Sequence, residues 1–213
     1  MTLAAILGAL ALEPTSAQAQ GAFGSGAPNI TARLVAQSAA PAAGQDVSIA
    51  FAMTPAPGWH GYWENPGDAG LGMTVAWTLP PGVTASGLRY PVPDTLLIAG
   101  LMNHVYEGPY AVLTTLALAP GMAKGTRLPI RVRADWLACT DAVCVPEGAD
   151  LALDLVVGDG AVGTGDVARF DAWRARLPRP LGSEATYAIE GGRLRLSVPF
   201  AAEAKAESVH LFP

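Results

Sequence analysis

The chain has 213 residues, of which 51% are hydrophobic and 15% are charged, so it can bury a core of domain size. Its 24 glycines and 18 prolines are spread along the chain, which is typical of a loop-rich β protein and not of a disordered segment. The net charge is −5, and no stretch combines clustered basic residues with aromatic ones. This pattern argues against nucleic-acid binding, which requires a concentrated positive surface.

The N-terminus has features of an export signal. An apolar run over residues 3–12 is followed by an A-x-A pattern at 17–19, although no Lys or Arg precedes the run. We therefore predict a signal peptide over residues 1–19 and a flexible leader, rich in Gly, Ala and Ser, over residues 20–29. The run is too short to span a bilayer, and no later segment reaches spanning length. Export would place the chain in an oxidising compartment, where disulfides form.

Short β-compatible runs follow, each bounded by Pro, Gly, Asn or Asp. In one of them Ile130 and Val132 alternate with Arg131 and Arg133, which predicts a half-buried antiparallel strand. Many short strands without long helices between them predict an all-β sandwich over residues 30–158. The predicted strands cover residues 30–35, 47–53, 59–63, 73–79, 110–118, 128–136 and 151–157.

A glycine-rich break after the sandwich begins a linker over residues 159–180. Within the linker, residues 166–177 have apolar positions at helical spacing and end before a proline, so we predict a short helix. Strand signals then return on both sides of the Gly-Gly pair at 191–192, which favours a hairpin turn. We interpret residues 181–213 as the truncated start of a second β domain. Its strands are predicted over residues 186–190, 193–198 and 208–212.

The sharpest chemical feature is the segment WLACTDAVCVPE, in which a predicted strand reaches Cys139 and a polar bend leads to Cys144. A tight bend can bring two cysteines within disulfide distance at an accessible strand end. The spacing alone leaves two interpretations open, a structural staple and a redox pair that exchanges disulfides. So small a disulfide loop stabilises a fold by about 2 kcal/mol, less than a longer loop does. Two thiolates are half of a zinc shell, so no metal site is predicted here.

The segment over residues 57–71 places His60 among aromatic residues and ahead of Asp68. The favoured interpretation is a buried aromatic strand with a tight turn, because tryptophan and tyrosine rings are usually buried. The alternative is an acid–base site formed by His60 and Asp68. No hydrolase, zinc-protease or phosphate-binding motif is present in the sequence.

The segment over residues 90–110 contains two prolines, an apolar run and then Met102 and His104. This composition predicts a long loop or an irregular hairpin. Met102 and His104 carry side chains that can bind copper. Isolated residues of these types usually pack in the core or lie at the surface, so a copper site remains an alternative hypothesis.

Several motifs occur in a characteristic order: GWHGYWENPGDAGL, WTLPPGV, YPVPD, NHVYEG and WLACTDAVCVPE. Over residues 30–157 this combination resembles the N-terminal periplasmic domain of the thiol:disulfide interchange protein DsbD family. The resemblance is closest to the branch that includes the suppressor-of-copper-sensitivity membrane reductases, and it continues weakly towards the C-terminus. Because the motifs agree in order as well as in residues, the resemblance is more specific than the cysteine spacing.

The resemblance implies an immunoglobulin-like β-sandwich whose redox-active pair is Cys139 and Cys144. By analogy, Cys144 would attack the partner disulfide. A segment over residues 90–107 would cap the pair, and no cofactor or metal is expected. The candidate cap or tuning residues are Tyr106, Glu107 and Asp141.

The resemblance also implies a place in an electron relay. A membrane-embedded redox domain, of the same or a partner chain, would supply electrons. This domain would pass them to oxidised periplasmic thioredoxin-fold proteins, such as disulfide isomerases and cytochrome c maturation factors. The protein would then be a periplasmic protein-disulfide reductase, tethered to the inner membrane through further C-terminal segments. The alternatives are a non-enzymatic interaction module and a copper-binding module, each with a structural disulfide.

Overall fold

The computed structural model describes residues 27–200 and 210–212. These residues form an all-β fold, as predicted, with one short helix and a terminal hairpin. The predicted signal peptide and residues 20–26 of the predicted leader lie outside the described residues. In chain order the elements are β1 (Ile30–Ala36), β2 (Asp46–Pro55), β3 (Gly61–Gly67), β4 (Thr74–Thr78), β5 (Val83–Ala85), β6 (Asp94–Ile98), β7 (Leu101–Tyr106), β8 (Tyr110–Leu118), β9 (Arg127–Cys139), β10 (Cys144–Val156), α1 (Thr164–Arg174), β11 (Thr186–Glu190) and β12 (Arg193–Ser197).

Antiparallel sheets enclose the core of the sandwich. One sheet has the strand order β1-β2-β8-β5, and facing it are the sheets β10-β9-β4 and β3-β7-β6. Alternate side chains of β2 and β9 are buried, so that Ile49 and Phe51 pack in one cluster with Ile130. A side chain of this size that is fully removed from water stabilises the fold by about 2 kcal/mol.

The segment over residues 90–110 is more regular than the predicted loop or irregular hairpin, because it contains the paired strands β6 and β7. Ala99 and Gly100 connect these strands, and both have a positive φ, as in two-residue hairpin turns. Alanine rarely adopts a positive φ, and turns of this kind usually contain Asn-Gly or Gly-Gly. The Ala-Gly pair therefore does not predict a turn. The hairpin places β7 between β3 and β6.

Strand β10 begins at Cys144, well before the predicted start at residue 151. Pro146 and Gly148 hide the first part of this strand in the sequence because both residues are rare within sheets. In the described residues β10 is an edge strand, where a proline is tolerated because its missing N–H faces outward. Strands β9 and β10, of 13 residues each, therefore form one long hairpin with the cysteines at its tip.

Helix α1 packs on the outer face of the β1-β2-β8-β5 sheet, so the predicted linker is docked on the sandwich. The side chain of Phe170 is 0% exposed and clusters with Ala50 and Ala111, whose small side chains let the helix approach closely. Arg174 Nη2 donates a hydrogen bond to Ser48 Oγ at 2.9 Å. No helix among the described residues is long and apolar enough to cross a membrane.

The terminal hairpin of β11 and β12 turns at the Gly-Gly pair, as predicted, with φ of 55° and 74°. Of the strand predicted over residues 208–212, residues 208–209 lie outside the described part of the chain, and residues 210–212 form no strand. The register of the hairpin places its large apolar side chains on one face, where they are exposed: Tyr187, Ile189, Leu194 and Leu196.

Replacing Phe170 by alanine should lower the free energy of unfolding by about 3 kcal/mol, because the substitution empties the space beneath α1. Urea unfolding monitored by circular dichroism measures the change. Val167→Ala is the matched control, since Val167 lies on the same helix and is 40% exposed, and it should change stability by less than about 0.5 kcal/mol. Equal stability of Phe170→Ala and the unaltered protein would show that α1 does not pack on the sandwich.

Candidate functional site

A disulfide joins Cys139 and Cys144 across the tip of the β9–β10 hairpin, with their Cα atoms 4.1 Å apart. The backbone N–H and C=O of Cys139 point away from Cys144 and bond to His60, at 3.0 Å and 2.8 Å. The two cysteines are therefore a non-hydrogen-bonded pair, the position at which opposite residues of antiparallel strands come closest. This backbone pairing brings the sulfurs within bonding distance.

Thr140 holds the turn between the two cysteines. Its N–H donates to the Val143 carbonyl at 2.8 Å, and its hydroxyl oxygen accepts hydrogen bonds from the N–H groups of Ala142 and Val143, at 3.2 Å and 3.1 Å. Threonine and serine commonly stabilise turns in this way. Asp141 lies at the exposed tip of the turn. The polar bend predicted from the sequence thus has a defined geometry.

The two cysteines differ sharply in their exposure. Cys139 is 0% exposed, whereas Cys144 is exposed together with the neighbouring Val143 and Val145. A thiolate from another protein can therefore approach the Cys144 side of the bond and not the Cys139 side. The strand-end position predicts that both sulfurs are accessible, and this prediction is wrong for Cys139, which is buried.

Side chains of three other strands cover Cys139. Tyr62 of β3 and Val105 of β7 form a buried cluster with it, and Leu96 of β6 and Leu137 of β9 pack against that cluster. Tyr62 and Val105 are opposite each other in the β3–β7 pairing. The segment expected to cap the redox pair therefore does contribute to the cover, through Leu96 and Val105, two residues that the sequence did not single out.

His60 lies beside the disulfide as well. It is paired with Cys139 through the backbone, it is buried, and its Nε2 lies 3.3 Å from the Tyr62 hydroxyl oxygen, within hydrogen-bond distance. Burial lowers the pKa of His60, and the nearby carboxylates of Glu107 and Asp141 oppose this shift. Burial also raises the pKa of Tyr62, so the phenol keeps its proton at neutral pH. The site thus places a neutral imidazole and a phenol beside a buried cysteine, with two carboxylates near the imidazole.

Tyr106 does not take the position expected for a cap residue. Its ring lies in the main core, stacked on Tyr110 with the ring centroids 4.2 Å apart, and its hydroxyl donates to the Pro91 carbonyl at 2.7 Å. Successive side chains of a strand point to opposite faces, so Val105 covers Cys139 and Tyr106 cannot do so. Glu107, the next residue, is exposed just beyond the end of β7.

The alternative acid–base pair of His60 and Asp68 is not brought together. His60 precedes β3 and Asp68 follows it, at the opposite end of the strand. The Asp68 carboxylate instead accepts a hydrogen bond from the Met102 N–H at 2.8 Å. The backbone N–H of Asp68 donates to the Met102 carbonyl. Asp68 therefore holds β3 against β7.

The copper hypothesis for Met102 and His104 finds only a partial counterpart. His104 is buried, its Nδ1 lies 2.9 Å from the Asn65 carbonyl oxygen, and its Nε2 lies 3.3 Å from Nε2 of His210. Met102 is half-buried two residues before His104 on β7. Within residues 27–200 and 210–212, no group of three or more His, Cys, Asp or Glu residues could hold a metal ion.

Glu147 anchors the hairpin close to the cysteines, and the sequence carries no signal for it. Its carboxylate accepts hydrogen bonds from the N–H groups of Asn29 and Ile30, at 2.7 Å and 3.0 Å, and from Trp136 Nε1 at 3.2 Å. These contacts tie the start of β1 to β10. A cleft of about 530 Å³ lies beside this junction, lined in part by Val145 and Glu147.

After reduction, an alkylating reagent should modify Cys144 at least about tenfold faster than Cys139, because only an exposed thiol meets the reagent. Peptide mapping of the full chain after brief treatment with iodoacetamide measures the two rates. Both thiols should react alike after denaturation, which is the control. Equal modification of the folded protein would contradict the asymmetric site.

Two solved structures match this chain at low sequence identity. One is the N-terminal periplasmic domain of ScsB from Proteus mirabilis, with a TM-score of 0.60 and 21% identity; the match covers 79% of this chain and 63% of that chain. Another is the N-terminal domain of DsbD from Neisseria meningitidis in the reduced form, with a TM-score of 0.35 and 12% identity over 60% of this chain and 86% of that one. No curated protein matches the sequence.

The sequence also matches a family model over residues 31–155, which include the sandwich strands from near the start of β1 to near the end of β10. That model describes the N-terminal part of the thiol:disulfide interchange protein DsbD. The matched region is more than half of the chain, and it contains both cysteines and every side chain that covers Cys139. The chain therefore belongs to the family of the N-terminal domain of the thiol:disulfide interchange protein DsbD.

Proposed function

We propose that this chain is a periplasmic thiol:disulfide exchange domain that relays electrons to oxidised thioredoxin-fold proteins. The observation that carries the proposal is the asymmetric disulfide at the hairpin tip, where Cys144 is exposed and Cys139 is buried. A staple needs no exposed sulfur, whereas exchange requires an open approach to one sulfur of the pair. Membership of the DsbD family agrees with this chemistry.

The exchange has two steps. The Cys144 thiolate attacks a disulfide of the partner, forms a mixed disulfide with it and releases the partner's other sulfur as a thiolate. Cys139 then attacks Cys144 Sγ, which closes the intramolecular disulfide and releases the partner in its dithiol form. The domain gives up two electrons and the partner takes up two. A membrane-embedded redox domain, of this or another chain, would restore the dithiol.

The apolar cover of Cys139 supports transfer of electrons to a protein partner and not to small oxidants. Tyr62, Val105 and Leu96 keep water and small oxidants from the buried sulfur. The β6–β7 hairpin, whose Leu96 packs against this cluster, also carries the exposed apolar residues Leu97 and Leu101. We infer that this hairpin forms one side of the surface on which the partner docks. Attachment to the inner membrane through further segments of the protein is part of the same proposal.

The terminal hairpin supports the proposed second β domain. Its four large apolar side chains share one exposed face, and residues of the opposite face, such as Arg193 and Arg195, are charged. A two-stranded sheet with one apolar face is unstable alone and needs a further layer. We propose that residues from 181 onward belong to such a domain.

Replacing either Cys139 or Cys144 by serine should abolish reduction of an oxidised periplasmic thioredoxin-fold protein. Cys139→Ser should in addition trap a mixed disulfide through Cys144, because no second thiol remains to resolve it. Non-reducing gel electrophoresis and a coupled turnover assay measure both effects. Val162→Ser, at an exposed apolar position remote from the tip, is the control and should transfer electrons normally. Unchanged transfer by a cysteine variant would refute the proposal.

The reduction potential separates exchange from a structural disulfide. We expect the Cys139–Cys144 couple to lie above about −300 mV, since structural disulfides lie below that value and resist reduction by cellular thiols. Equilibration with glutathione buffers of known ratio, followed by alkylation and mass spectrometry, measures it. A potential below that limit would favour an interaction module with a structural disulfide.

A further inference from the structure

One buried imidazole shares a face of the sheet with the buried sulfur. Cys139 and His60 exchange both backbone hydrogen bonds, so they are directly opposite each other on adjacent strands. Side chains of directly opposite residues project from the same face and lie next to each other. Tyr62, two residues further along, projects from that face too; it packs with Cys139 and its ring contacts the His60 ring edge to face.

The environment of Cys139 poses a chemical problem for the second step of the exchange. Cys139 must lose its proton before it can attack, yet it is completely buried, and burial disfavours a thiolate. The carboxylates of Glu107 and Asp141 lie near enough to act electrostatically on His60. Negative charge near His60, the residue directly opposite Cys139, would disfavour the thiolate further. A neutral base beside the sulfur can take up the proton of the Cys139 thiol and so allow Cys139 to attack.

We propose that His60 accepts the proton of the Cys139 thiol when Cys139 resolves the mixed disulfide. The inference rests on the proposed function, because it concerns the same disulfide exchange. It assigns to His60 a proton-transfer role towards Cys139 and does not involve Asp68, which lies at the far end of β3.

The step balances in atoms and electrons. The Cys139 thiol gives its proton to the His60 imidazole, and its sulfur attacks Cys144 Sγ. A bond forms between the two cysteine sulfurs while the bond from Cys144 to the partner breaks, and the electron pair leaves on the partner sulfur. The imidazolium then returns its proton to that thiolate, directly or through water. The two cysteines are oxidised together and the partner is reduced.

The groups around His60 suit it to this role. The phenol of Tyr62 keeps its proton and lies 3.3 Å from Nε2, so it can orient the ring. Burial keeps the imidazole neutral before the step, which leaves it free to accept a proton. Glu107 and Asp141 stabilise the imidazolium once it has formed. The carboxylates that disfavour a lone thiolate thus favour the thiolate–imidazolium pair.

An aromatic disulfide reagent with a coloured leaving thiolate, dithiobis(nitrobenzoate), tests the role without any partner protein. Mixed with the reduced full chain in a stopped-flow instrument, it releases one coloured thiolate when Cys144 attacks and a second when Cys139 resolves. His60→Gln should slow the second release at least about tenfold and leave the first unchanged. His104→Gln, which alters the other buried histidine of this sheet, is the matched control and should change neither release.

The pH dependence of the unaltered protein provides a second measurement, which does not depend on a variant that folds. The rate of the second release should level off once His60 has lost its proton, with the pKa of His60 measured separately by NMR. In His60→Gln the rate should keep rising with pH until Cys139 itself ionises. A continuous rise in the unaltered protein, or a second release within about twofold of normal in a folded His60→Gln, would overturn the inference.

The two proposals fail in different ways. If the cysteine variants abolish reduction of the partner but His60→Gln resolves normally, only the role of His60 is refuted. If His60→Gln slows the second release but no thioredoxin-fold protein is reduced, the proton transfer stands and the electron relay is refuted. A slowing of both releases by His60→Gln would point to a distorted site and would also overturn the role of His60.

Discussion

Two backbone hydrogen bonds between His60 and Cys139 determine the geometry of the whole site. They attach the β3-β7-β6 sheet to β9, so that Tyr62 and Val105 reach the sulfur of Cys139. Because they use the N–H and C=O of Cys139, they leave Cys144 at the closely spaced, non-hydrogen-bonded position opposite it. The same two bonds set His60 beside the sulfur. Without them the hairpin tip would be an isolated arm with two equally exposed cysteines.

The proposed disulfide exchange depends on the unequal burial of Cys139 and Cys144 more than on the bond between them. A sulfur at the exposed tip can meet a partner, and a sulfur beneath an apolar cover can act only on its neighbour. In the proposed exchange this difference sets the order of the two steps, with Cys144 acting first and Cys139 second.

The remainder of the fold keeps this site in place. Glu147 ties β10 to the start of β1 through charge-assisted hydrogen bonds, which are stronger than those between neutral groups. On the opposite side of the molecule, α1 covers β2 and β8 with Phe170. The hairpin is thus tied to β1 through Glu147 and to the β3-β7-β6 sheet through Cys139, while Cys144 is exposed at its tip.

The sequence by itself determined the all-β class, most strands of the sandwich, the Gly-Gly hairpin and the cysteine pair at a strand end, because period-two alternation and turn residues are local signals. The ordered motifs also indicated the DsbD family. The first half of β10, before residue 151, was hidden by Pro146 and Gly148, and the β6–β7 turn was hidden by an alanine with positive φ. Edge position and backbone strain are set by tertiary neighbours. Only the tertiary structure decided which cysteine is buried, that Val105 and not Tyr106 covers it, and that His60 lies opposite it. Those facts depend on strand pairing between residues far apart in the chain, and no local pattern encodes that pairing.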